Sequence, residues 1–89
     1  MTEMHFADLW SRDSLSFRDR RLLLLGLFVG QGGLDEEIAV QLDAALRAGE
    51  LSVEEARELV AFLTHYAGWA RGARLNAQLE NLVDGLSQG

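Results

Sequence analysis

The sequence predicts an all-α protein, a small helical bundle of about four principal helices with a docked N-terminal helical arm. Three observations predict it. Apolar residues recur at three- and four-residue spacing in one segment after another, no segment alternates strictly over a strand's length, and serines and glycines punctuate the chain where helices would begin and end. Eighty-nine residues hold one domain, residues 1–89, with no internal repeat, low-complexity run or interdomain linker.

The elements follow in order. Thr2 caps a first short helix reaching about Arg12, with Met4, Phe6, Leu9 and Trp10 as its apolar residues, and Asp13-Ser14 breaks it. This arm is too short to persist unless docked. Ser16-Phe17-Arg18-Asp19 has the form of a capping box with aspartate in the usual glutamate position, and it opens a helix through RRLLLLGLFVG. From Leu22 to Val29 that helix is apolar all round, which reads as a central element. After the turn Gln31-Gly32-Gly33, the acids Asp35-Glu36-Glu37 sit at the positive end of a third helix with Ile38, Leu42, Ala45 and Leu46 on one face. Gly49 stops it, and Ser52-Val53-Glu54-Glu55 is a second capping box. The fourth helix carries Ala56, Leu59, Val60 and Leu63 on one face; Tyr66 continues that stripe by spacing. Gly68 interrupts, Trp69 is expected to pack at the corner, and the last helix carries Leu75, Leu79, Leu82, Val83 and Leu86.

Composition excludes whole classes of chemistry. Without cysteine there is no thiol nucleophile, CxxC redox pair or thiolate metal site. All eight basic residues are arginine, so no lysine amine is present to form a Schiff base. A net charge of −6 argues against nucleic acid as a partner, because that affinity rests on clustered positive charge. The longest apolar run, Leu22 to Gly30, is less than half of the roughly 20 residues a membrane span needs. The first ten residues carry acids where a signal peptide carries bases, so the expectation is a soluble, cytoplasmic protein with neither nucleic acid nor membrane as partner. So small a chain buries little surface alone, and the all-apolar second helix calls for more partners than one protomer offers.

Four stretches carry a family resemblance. Trp10-Ser11-Arg12 with Leu15-Ser16, then Arg20-Arg21-Leu22-Leu23-Leu24, then the segment Ala44 to Glu55, then Tyr66-Ala67-Gly68-Trp69 resemble in order the carboxymuconolactone decarboxylases and their alkylhydroperoxidase-D-like relatives. The resemblance implies a helical protomer assembling into a homotrimer or homohexamer, without a cofactor, acting on a small organic acid or lactone. The departures are specific. Where the peroxidase branch has C-x-x-C-x-x-x-H, the aligned positions here are Leu34, Glu37 and Gln41, which excludes disulfide-based reduction. Where the decarboxylase branch resembles H-E-L-x-x-H, the window reads Glu36-Glu37-Ile38-Ala39-Val40-Gln41, keeping the glutamate and replacing both histidines. Ala70 stands where the family has proline after its aromatic.

Decarboxylation leaves electrons on an enolate-like system and then needs a proton delivered to carbon. Glu37 is the acid/base implied by the resemblance; read by itself, it is a first-turn glutamate favoured by the helix dipole. Gln41, four residues on, shares its face and is placed to orient that carboxylate or to bind a substrate oxygen, though it cannot relay a proton. An unperturbed imidazole titrates near neutrality, which makes His65 the second catalytic candidate, against a reading as a packing or capping residue. Tyr66 and Trp69 flank the joint that adjoins the site in the family, which makes them substrate-binding candidates by that resemblance. Arg71, with Arg74 three residues on, is placed to pair with a substrate carboxylate, or else with acids such as Glu54, Glu58 or Asp84. Two distant histidines and no cysteine make a metal site remote. The alternative to an enzyme is a catalytically silent oligomerisation or binding protein on the same scaffold.

Overall fold

The computed structural model describes the backbone of residues 6–88, as five helices: α1 Phe6–Ser11, α2 Phe17–Gln31, α3 Asp35–Arg47, α4 Val53–Ala67 and α5 Trp69–Gln88. Thr2, Met4 and His5, and the side chain of Phe6, lie outside the described residues.

Each helix boundary has a local cause. Ser16 Oγ accepts the Asp19 N–H at 3.0 Å and starts α2, and the Gly32 N–H closes its far end on the Phe28 carbonyl. α3 begins at Asp35 after an N-cap, Leu34, that offers no side-chain cap, and its first-turn acids sit favourably at the positive end of the helix dipole. It ends in paired bonds from Glu50 N–H to the Ala45 carbonyl and Gly49 N–H to the Leu46 carbonyl, with Gly49 at φ +72°. The Ser52 box is reciprocal: Ser52 Oγ accepts the Glu55 N–H, and Glu55 Oε1 accepts the Ser52 N–H. Gly68, at φ +102°, is the whole connection between α4 and α5.

That connection reverses the chain. Thr64 lies against Gly72 while Arg57 pairs with Glu80, steps of seven and eight residues in opposite directions, so α4 and α5 run antiparallel. The approach is close: a Cβ on Gly72 would overlap Thr64 Oγ1 and stand 2.7 Å from its Cβ. α2 and α3 form a second hairpin through the Gly32-Gly33 turn, and α3 leans on α5 where Arg74 pairs with Asp35 and Gln78 Nε2 donates to the Asp35 carbonyl. The core between the hairpins consists of Leu25 and Val29 from α2, Ile38, Leu42 and Ala45 from α3, Leu51, Ala56 and Val60, and Leu75 and Leu79 from α5. α1 docks through Trp10, whose ring lies 5.8 Å from that of Phe17. Arg20 secures the arm by donating to the carbonyls of Trp10, Arg12 and Leu15.

α2 is not surrounded within one protomer, as an all-apolar helix in so short a chain requires: Leu25 and Val29 are buried, but Leu23 and Leu27 remain 63% and 52% exposed. Three expectations change, at Tyr66, Trp69 and Arg74. Tyr66 leaves the buried stripe and Trp69 leaves the corner, at 78% and 81% exposure. Because α5 crosses α4 through Gly72 beside Thr64, the inward face is the one holding Ala56, Val60 and Thr64. Phe62 and Tyr66 stack on each other, 4.9 Å apart, on another side. Arg74 finds Asp35 rather than Glu54, Glu58 or Asp84.

Gly72→Ala is expected to destabilise the protein by about 1–3 kcal/mol, the usual cost of overpacking. Gly85→Ala, where nothing lies within 4 Å of the added carbon, is expected to stabilise it by about 0.5–1 kcal/mol, and urea unfolding measures both. A second expectation concerns acid. The Ser52 N–H, and then the Arg18 guanidinium 3.0 Å away, hold the Glu55 carboxyl below the ordinary glutamate value of 4.5. A lowered folded pKa contributes stability above pH 4.5 that is lost as pH falls through the folded value. Glu55→Gln should therefore melt earlier than wild type at neutral pH and lose less on acidification, as thermal melts across the acid range will record.

Candidate functional site

The third helix carries the residues with the clearest chemical arrangement. On one side of α3, Glu37 and Gln41 stand one turn apart and, with Glu36, Val40 and Phe28 of α2, line an open cleft of about 270 Å³. Phe28 and Val40 supply its apolar wall. Among the described residues the Glu37 carboxylate has no hydrogen-bond or ion-pair partner, which leaves both its oxygens to a visitor.

Gln41 is held differently. Its Oε1 accepts from Arg21 Nη1 at 2.6 Å, which assigns the amide unambiguously because a guanidinium only donates. Arg21 in turn grips Glu50 with Nε and Nη2, at 2.8 and 3.2 Å, in a two-pronged pair whose side chains are only 15% and 12% exposed. The Trp10 ring covers the Arg21 guanidinium at 4.8 Å. One cation thus joins α1, α2, the middle of α3 and the turn that leads to α4. Gln41 Nε2 has no protein partner among the described residues and is not sealed from solvent, so the amide's free end is its donor end.

The other candidates lie elsewhere. His65 is exposed, and its Nδ1 sits 2.8 Å from the Ala61 carbonyl one turn back, so in the neutral ring Nδ1 carries the proton and Nε2 is the open position. Tyr66 and Trp69 are exposed beside it at the α4/α5 joint. Arg71 lies across the Gly32 backbone, where a Cβ would come within 3.1 Å of its Nε, and lines a separate cavity of about 310 Å³ with Asp35, Ile38 and Arg74. Asp35 and Ile38 face this cavity from α3, while Glu37 and Gln41 face the other cleft. Within one protomer, then, Glu37 and Gln41 come together, His65, Tyr66 and Trp69 form a second group, and Arg71 stands apart. No three His, Cys, Asp or Glu side chains among the described residues are grouped to hold a metal ion, and no helix there is long and apolar enough to cross a membrane.

An all-helical chain with this order of motifs, and a glutamate retained in the first turn of α3, can be compared with known families. Residues 1–80 match the carboxymuconolactone decarboxylase family. The chain belongs to that family. No curated protein and no solved structure matches it.

Trp10, Arg21 and Glu50 all lie in the family-like stretches of the sequence, but nothing in their spacing shows that they meet. The only indication in the chain was the pair Arg20-Arg21 placed where a helix turns apolar, a position that obliges a charged side chain to find a partner.

Proposed function

We propose that this member of the carboxymuconolactone decarboxylase family is a cofactor-independent decarboxylase-type enzyme acting on a small organic acid or lactone. The observation that carries the reading is the pairing, on one cleft wall, of an unpartnered carboxylate, Glu37, with the outward amide donor of Gln41. As the bond from the substrate carbon to its carboxylate breaks, CO2 leaves and the electron pair passes into the conjugated carbonyl, which becomes an enolate. The Gln41 amide stabilises that oxygen with a hydrogen bond. Protonated Glu37 delivers its proton to carbon and takes another from water, and Phe28 and Val40 give the departing carboxylate a less polar surrounding.

The same proposal includes a homotrimer or homohexamer. Leu23, Leu27, Val40, Phe62, Tyr66 and Trp69 are all more than half exposed in the protomer, and contact between protomers would cover them. His65 and Arg71 serve the reaction only if a neighbouring protomer brings them to the cleft. A second reading has its own support. Both family histidines are replaced, by Glu36 and Gln41, which favours a catalytically silent assembly or binding protein.

Incubation with γ-carboxymuconolactone, followed by CO2 release, separates the two. Turnover that falls by roughly a hundredfold or more in Glu37→Gln is expected for acid/base work at Glu37. Equal turnover by the variant would remove Glu37 from the mechanism, and no turnover by wild type would favour the silent scaffold.

A further inference from the structure

We infer that Arg21, locked by Glu50, is a positioning residue that makes Gln41 a one-way hydrogen-bond donor and so fixes what the cleft accepts beside it; the inference rests on the reading of the Glu37 cleft as the ligand site. A glutamine amide ordinarily presents either end, because its oxygen and nitrogen exchange places by a half-turn about the last side-chain bond. Here the half-turn is blocked. Rotation would set the NH2 group against Arg21 Nη1, donor against donor, and forfeit a charge-assisted hydrogen bond of 2.6 Å.

The lock is as firm as the group that imposes it. Arg21 has no freedom to follow Gln41, since its Nε and Nη2 are committed to Glu50 and its face to Trp10. Lysine would not replace it: one ammonium cannot span two Glu50 oxygens and the Gln41 oxygen in the same plane. The ligand atom opposite Gln41 is therefore an acceptor, a carboxylate or lactone carbonyl oxygen that becomes an enolate oxygen, and a ligand presenting an ammonium or amide N–H at that point meets a donor. The replacement of the family histidine by glutamine thus exchanges a proton-carrying group for a fixed dipole.

The test begins on the protein without ligand. The side-chain amide of Gln41 is assigned in ¹⁵N-labelled protein by its loss in Gln41→Glu, and its heteronuclear NOE is compared with that in the double variant Arg21→Met/Glu50→Met. Removing both charges together avoids stranding one of them. The wild-type amide should be as ordered as the helix backbone, and the double variant's should be mobile. If the double variant does not fold, Arg21→Lys, which retains the charge, should show the same loosening. A mobile amide in wild type, or equal order in wild type and the folded variant, would overturn the proposal. On γ-carboxymuconolactone the loosened variant should lose about tenfold in kcat, about 1.4 kcal/mol, with KM little changed. Absence of turnover in wild type would count against the enzymatic reading, while the NMR comparison would still decide the role of Arg21.

Discussion

The ion pair between Arg21 and Glu50 is the constraint around which the rest of this small protein is arranged. Two charges with so little exposure are costly to hold away from water, and their mutual two-pronged pairing, with a further bond from Arg21 to Gln41, offsets that cost. The guanidinium does this with a planar fork, two prongs for Glu50 and one for Gln41, under the face of Trp10. It thereby joins parts of the chain that hydrophobic burial alone would leave free to slide. Leu25, Leu42 and Leu79 would tolerate a shifted helix, whereas a three-pronged polar contact would not.

The second constraint is one of volume. Gly72 lets α4 and α5 approach until Thr64 occupies the space of a missing side chain, and this decides which face of α4 turns inward. A consequence reaches the surface. With the inward face assigned to Ala56, Val60 and Thr64, the aromatic pair Phe62 and Tyr66 has nowhere to go but outward, as do Leu23 and Leu27 on α2. Among the described residues the protomer therefore leaves large apolar side chains exposed, as the high surface-to-volume ratio of a short chain favours.

Much of this was readable in advance, for reasons that are local. The capping serines, the terminating Gly49 and the spacing of Ile38, Leu42 and Ala45 act within a turn or two of themselves, and sequence periodicity reports such interactions directly. What escaped depended on distance along the chain. Arg21 and Glu50 are 29 residues apart, and the side of α4 that turns inward is chosen by a glycine in the next helix. Tyr66 departs from its expected burial for that reason: its spacing from Leu59 and Leu63 fits a buried stripe, but the boundary of that stripe is set by α5. At the site, Glu37 and Gln41 were legible as neighbours on one helical face. The orientation of Gln41 was not, because it is imposed from another helix.

The most direct measurement is of the Arg21 guanidinium itself. An arginine gripped at three of its nitrogens cannot spin about its terminal bonds, whereas a solvated one averages freely. In ¹⁵N NMR of the folded protein, one of the eight arginines, assigned to position 21 by its loss in Arg21→Lys, should show a slowly exchanging Nε–H and separate, non-averaged Nη resonances. An Arg21 signal as averaged and as rapidly exchanging as that of an exposed arginine would contradict the account, since the tie among α1, α2, α3 and Glu50 would then not exist in solution.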